Sequence, residues 1–163
     1  PCTKADDPGT DIVHRDGQFL GGKGKFRATP WQEPGELPDE DYPFFLTTGR
    51  QLFHYNVGTM TRRTDVSKLT KGQKETLRIH PKDARRVGIQ SGDRIKITSR
   101  RGSIEVDAEV TKSTNPGTLY MTFHFPETKT NILVSSAADE YTQCPEYKVV
   151  AVRIEKCALP NSV

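Results

Sequence analysis

Residues 76–111 read TLRIHPKDARRVGIQSGDRIKITSRRGSIEVDAEVT, and the stretch alternates between two periods. Thr76 to Ile79 alternate apolar and polar side chains as a strand does. Pro81 then sets the first turn of a short helix, PKDARRV, with Asp83 near its positive end, and Gly88 supplies a stop. Ser91-Gly92-Asp93 turns the chain into RIKITS, and Arg101-Gly102 turns it back into SIEVDAEV, where Ile104, Val106, Ala108 and Val110 share one face.

The same grammar extends outward. YPFFLTT (42–48) is a strand whose proline is tolerated near its start. Asn115-Pro116-Gly117 is a turn into TLYMTF, NILVSS passes from apolar to polar, and YKVVAVRI (147–154) supplies a last β run. About six strands and one or two short helices, punctuated by turn residues, predict a mainly β barrel or sandwich over residues 42–157. ALPNSV trails off as a tail from 158 to 163. Residues 1–41 hold five prolines and GGKGKF, with little apolar periodicity, and read as an extended strap. Ile12, Val13, Phe19, Leu20, Phe26 and Trp31 are its candidate anchors.

At 163 residues the chain suits one domain with extensions. No run approaches the roughly 18 apolar residues of a membrane-spanning helix. PCTKADDPGT has neither an apolar leader nor an initiator methionine, so we expect a soluble piece, processed or cut from something longer. Cys2, Cys144 and Cys157 form no CxxC pair, which argues against a disulfide framework or zinc knuckle and for a reducing, cytoplasmic setting. The net charge of +3 is uneven, since residues 62–101 hold 13 Lys and Arg against 4 Asp and Glu. That segment is a candidate anion-binding or docking face, and nucleic acid is one class of partner it suggests. Aromatic residues do not interleave with the basic ones between 66 and 101, which argues against single-strand stacking there.

Most polar residues have ordinary readings. His80, between Ile79 and Pro81, suits a helix cap, and no GxSxG elbow accompanies any serine. The four histidines are isolated from one another and from the cysteines, so the sequence offers no metal site. Two segments differ. TTGRQLFHYNVGTMTRR (47–63) gathers hydroxyls, glycines and arginines after an apolar strand, the donors that phosphate oxygens need. YMTFHFPETKTNILVSSAADEYTQCPEYK (120–148) places His124, Asn131, Tyr147 and Lys148 at strand edges and loop ends, where ligand contacts gather on a barrel rim.

Taken in order, YPFFLTTGR, HYNVGTMTRR, the 79–111 run, YMTFHF, NILVSSAADE and CPEYKVVAVRIEK resemble the C-terminal molybdopterin-dinucleotide-binding domain of the dimethylsulfoxide-reductase family. Within it the chain looks most like the catalytic subunit of formate dehydrogenases. The resemblance implies a six-stranded double-psi β-barrel and a molybdopterin guanine dinucleotide cofactor, bis-MGD, with molybdenum or tungsten carried by the complete enzyme. It implies that Thr48, Gly49 and Arg50 lie against the dinucleotide, and that His54, Tyr55, Thr59, Met60, Thr61 and Arg62 continue the cradle. Asn131 would bond the pterin or nucleotide edge, Tyr147 and Lys148 would close the far side, and His124 with Phe125 would shape the neighbouring wall. Catalytic, metal-ligating and iron–sulfur residues belong to earlier domains in such enzymes, so the expected partners are those domains and electron-transfer subunits. A nitrate reductase or formylmethanofuran dehydrogenase is the related alternative, and a basic nucleic-acid-binding barrel the unrelated one.

Overall fold

The computed structural model of the chain describes residues 2, 4–19, 21–65 and 72–158. The expected anchor Leu20 and all but the first residue of the expected tail lie outside them. Two compact units emerge, residues 1–33 and 34–163. The first is built of turns with a 3-10 segment at Arg15–Gly17, and its Phe26 and Trp31 are exposed.

The second unit is a closed barrel of six strands. In chain order they are β1 (Phe44–Gly49), β2 (Thr76–Ile79), β3 (Arg94–Thr98), β4 (Ser103–Val110), β5 (Thr118–Thr122) and β6 (Val150–Lys156). One helix, α1 (Pro81–Val87), lies between β2 and β3. Around the barrel the order is β1-β5-β2-β4-β3-β6. β1 pairs with β5 and β2 with β4 in parallel, and the remaining neighbours are antiparallel. A parallel pair needs a long crossover, and between β2 and β4 that crossover is α1 plus β3, one loop of the double-psi topology. Closure leaves no bare strand edge.

Period-2 patterning sets the core. Leu46, Leu77, Ile79, Ile95, Ile97, Leu119, Met121, Val150 and Val152 are fully buried, with Phe44 beside them. Each turn residue acts as its chemistry requires. His80 Nδ1 accepts from the Lys82 amide at 3.2 Å and caps α1, while Gly88 ends it at φ 69°, a left-handed value that favours glycine. Asp83, in the first turn of α1, is buried and accepts from the Gly117 amide at 2.7 Å, tying the helix to the turn before β5.

Of the thirteen basic residues of 62–101, six from Lys74 onward meet acids brought from elsewhere in the chain. Lys74 and Arg94 meet Asp107, Arg78 meets Glu109, Lys96 meets Glu155, and Arg100 and Arg101 meet Glu36. All of those acids lie outside the segment, so the charge of these six cations is answered locally. Two expected boundaries shift. TNIL (Thr130–Leu133) is a 3-10 turn, and β6 begins at Val150 because the Val149 amide closes a turn on the Glu146 carbonyl at 3.3 Å.

Residues 34–41 pack within the second unit. The Glu36 carboxylate meets both Arg100 and Arg101 and accepts from the Ala151 amide at 2.9 Å. Burial pushes this carboxyl up, but the Arg101 hydrogen bond, the Ala151 amide and the charges of Arg101 and Arg100 outweigh it. They hold it below the usual glutamate range. Arg101 also donates to the carbonyls of Leu133 at 3.0 Å and Val134 at 3.2 Å.

Candidate functional site

β1 ends at Gly49, and the chain leaves the barrel there beside the end of β5 and the segment before β6. Thr48, buried within β1, donates both its amide, at 3.2 Å, and its hydroxyl, at 2.8 Å, to the Tyr147 carbonyl. The Lys148 ammonium returns the tie by donating to the Thr48 carbonyl. These bonds set two chain segments side by side at one rim. Between them opens a cleft of about 520 Å³ lined by Thr48, Gly49, Arg50, Asn56, Val57, Phe123, Asn131, Tyr147 and Lys148.

The donor set has a definite chemistry. Two cations and two side-chain amides face the cleft, and among the described residues no carboxylate lines it. Arg50 has no acidic partner within ion-pair distance among the described residues, and its guanidinium stands 5.5 Å from the centre of the Phe123 ring. Phe123 and Val57 add apolar surface, so the cleft can take a flat ring system beside an anionic group. Gly49 is required sterically: a Cβ there would come within 2.6 Å of Tyr120 Cε2 and 2.8 Å of Cζ. Tyr120 is fixed in turn, its hydroxyl donating to the Arg50 carbonyl at 2.8 Å.

Thr48, Gly49, Arg50, Asn131, Tyr147 and Lys148 thus come together from segments about a hundred residues apart. Asn131 rides on the 3-10 turn Thr130–Leu133, and that turn is held from behind by Arg101. The other expected residues stand elsewhere. His54 is buried, its Nδ1 3.5 Å from Thr61 Oγ1 and its ring 5.3 Å from Phe125, edge to face. Burial, then the neighbouring His124 and Arg62, lower its imidazole below the usual histidine value against an opposing bond from Gln73. Arg62 is paired with Glu127 at 2.6 Å, and Tyr55, Thr59 and Met60 are exposed on the same loop, outside the cleft lining. His124 and Phe125 are buried behind it.

Asn56, Val57 and Phe123 were not anticipated. Asn56 had a signal, since asparagine is a residue that tolerates positive φ, here 47°, ahead of the Val57-Gly58 bend. Phe123 and Val57 read as ordinary apolar positions and gave none. Among the described residues no group of three or more His, Cys, Asp or Glu is placed to hold a metal ion, and no helix is long and apolar enough to cross a membrane.

Residues 44–151 match the model of the family described as molydopterin dinucleotide binding domain. The chain belongs to that family. A pterin dinucleotide is therefore the ligand class of the domain. Over 158 residues, 96% of the chain, it is 44% identical to the F420-dependent formate dehydrogenase 2 subunit alpha of Methanococcus maripaludis, of which it covers 23%. Over 140 residues, 83% of the chain, it is 44% identical to a nitrate reductase of Symbiobacterium thermophilum, of which it covers 18%. Acetylene hydratase from Pelobacter acetylenicus shares the fold, with a TM-score of 0.60 over 72% of this chain and 19% of that one, at 16% identity. The dinucleotide-binding domain thus spans about a quarter of the length of the formate dehydrogenase relatives it matches.

Proposed function

We propose that this domain holds one molybdopterin guanine dinucleotide in the cleft at the end of β1, within a catalytic subunit that oxidises formate to carbon dioxide. The single observation that carries the reading is the convergence of Arg50, Asn56, Asn131 and Lys148 on one carboxylate-free cleft walled by Phe123. The donor set fits the group. Arg50 would meet pyrophosphate oxygens, the Asn56 and Asn131 amides would bond the polar edges of pterin or base, and Phe123 would face a ring. Lys148 adds positive charge while it braces Thr48.

Bound there, the group would supply the redox metal, molybdenum or tungsten, and the two-electron chemistry of formate oxidation. The chain's own share is positional: fixed donors, set in advance by the Thr48–Tyr147 and Lys148–Thr48 bonds, keep the ligand at one geometry without reorganisation. Residues 42–157 would be the cofactor-holding barrel, with 34–41 packed in the same unit, and 1–33 an extension toward the rest of the subunit. Electron-transfer subunits would be partners of that whole. The three free thiols favour a reducing, cytoplasmic compartment.

Nitrate is the second reading, because identity to the nitrate reductase relative is the same 44% over a somewhat shorter match. Dye-linked assays of the parent subunit with formate and with nitrate separate the two. For the site, the measurement is guanine nucleotide released per purified parent subunit. Arg50→Ala and Asn131→Ala are expected to lower it, since loss of a charge-assisted bond of about 1.5–3 kcal/mol weakens binding about 10- to 150-fold. Nucleotide content equal to the parent's in both variants would refute the site.

A further inference from the structure

His124 follows the end of β5 by two residues and has no exposed surface. It lies behind the 50–57 loop, which carries Arg50, Asn56 and Val57 to the cleft. The loop's internal backbone bonds are local, His54 N–H to the Gln51 carbonyl at 3.3 Å and Gly58 N–H to the Tyr55 carbonyl at 2.9 Å. The two nitrogens of the His124 ring hold its two ends. The Gln51 amide donates to Nε2 at 2.8 Å, and Nδ1 bonds the Asn56 carbonyl. An amide can only donate, so Nε2 is the acceptor and Nδ1 carries the hydrogen that the carbonyl receives. Only this neutral tautomer satisfies both partners.

The ring is itself supported. The His124 amide lies 3.4 Å from Thr122 Oγ1. Thr122 in turn donates its amide, at 2.9 Å, and its hydroxyl to the Glu75 carboxylate, which is buried. Burial raises the carboxyl of Glu75, and the Thr122 and Thr76 bonds with the Arg78 charge offset it only in part. Neither Glu75 nor Thr122 lines the cleft.

We infer that Glu75, Thr122 and His124 form a strut that sets the 50–57 loop, and with it Arg50 and Asn56, in the position the dinucleotide needs. They are positioning residues, and their role in ligand retention rests on the function proposed above. The two nitrogens of the ring act separately. An asparagine at 124 overlays Nδ1 and keeps the Asn56 bond, whereas a glutamine reaches the place of Nε2 and keeps the Gln51 bond.

The test is hydrogen exchange on the purified parent subunit, resolved to the Gln51 amide, with His124→Asn, His124→Gln and Thr122→Val, alongside bound guanine nucleotide. His124→Asn is expected to speed Gln51 exchange about five- to tenfold, the factor that accompanies one lost hydrogen bond, while His124→Gln stays near the parent rate. Nucleotide retention should fall with loop protection. Thr122→Val, which keeps the volume and loses the hydroxyl, should speed exchange across the loop even where the His124 variants do not fold. Unchanged Gln51 exchange in every folded variant overturns the strut, and so does lost protection with full nucleotide retention. Absence of nucleotide from the unmutated subunit would instead sink the ligand assignment, and the exchange rates would still decide the strut.

Discussion

Gly49→Val strips the dinucleotide from the parent subunit and destabilises the barrel by about 3 kcal/mol, the upper part of the range for forced overpacking. The added carbons meet the Tyr120 ring, with Cε2 and Cζ at 2.6 and 2.8 Å from the first of them. A flexible neighbour would step aside, but this ring is held at its hydroxyl and covered on one face. Its hydroxyl bonds the Arg50 carbonyl, and the Arg78 guanidinium lies 5.5 Å from its centre. If the ring moves, it releases Arg50 at the mouth of the cleft. Denaturant unfolding and nucleotide release measure the two effects, and adding Tyr120→Ser should restore part of the stability by making room. A Gly49→Val subunit that unfolds at the parent's midpoint with full nucleotide would show that the Tyr120 contact has no such role.

Arg101→Leu has the second largest expected effect and acts from outside the cleft. Arg101 joins Glu36, the Leu133 and Val134 carbonyls and, through Glu36, the Ala151 amide of β6. Removing it leaves a mostly buried carboxylate with Arg100 as its remaining cation, at a cost of about 2–4 kcal/mol. The Thr130–Leu133 turn then loses its anchor, and Asn131 with it. A pH signature should accompany the loss. The folded Glu36 carboxyl lies below its ordinary value of 4.5, so its contribution is complete above that value and disappears as pH falls through the lower folded one. In Arg101→Leu two of the four influences that lower the carboxyl are gone while burial still raises it, so this acid-dependent loss should shrink. Denaturation midpoints at several pH values below neutrality check it. Parallel pH profiles for parent and variant would contradict the assignment.

Legibility along the chain followed the range of the interactions involved. β2, α1 and β4 fall on the bounds that alternation, Pro81 and Gly88 suggest, because caps and turns are encoded within a few residues. The order β1-β5-β2-β4-β3-β6 is set by pairings between distant segments, and residue patterns alone reached only a barrel or sandwich. The psi topology came from family resemblance. At Thr130–Leu133 the short apolar run Ile132-Leu133-Val134 carries too little periodicity to separate strand from 3-10 turn, and the packing of Ile132 against Gly102 and the Arg101 bonds decide it.

The site divides in the same way. Thr-Gly-Arg after a strand advertises donors locally, and Arg50 does face the cleft. Arg62, with equal chemistry, is paired with Glu127, a partner 65 residues on that no local reading weighs. His124 looked like a wall of the site. Its two ring bonds and full burial make it a support for the loop in front.

The most direct measurement is a crystal or cryo-electron structure of the parent catalytic subunit with its cofactor bound. The expected result is a pterin dinucleotide in the cleft at the end of β1, its pyrophosphate within ion-pair distance of Arg50 and its polar ring edges bonded by Asn56 or Asn131. A dinucleotide bound on another face of the barrel, with Arg50 and Asn131 turned to protein or solvent, would contradict it.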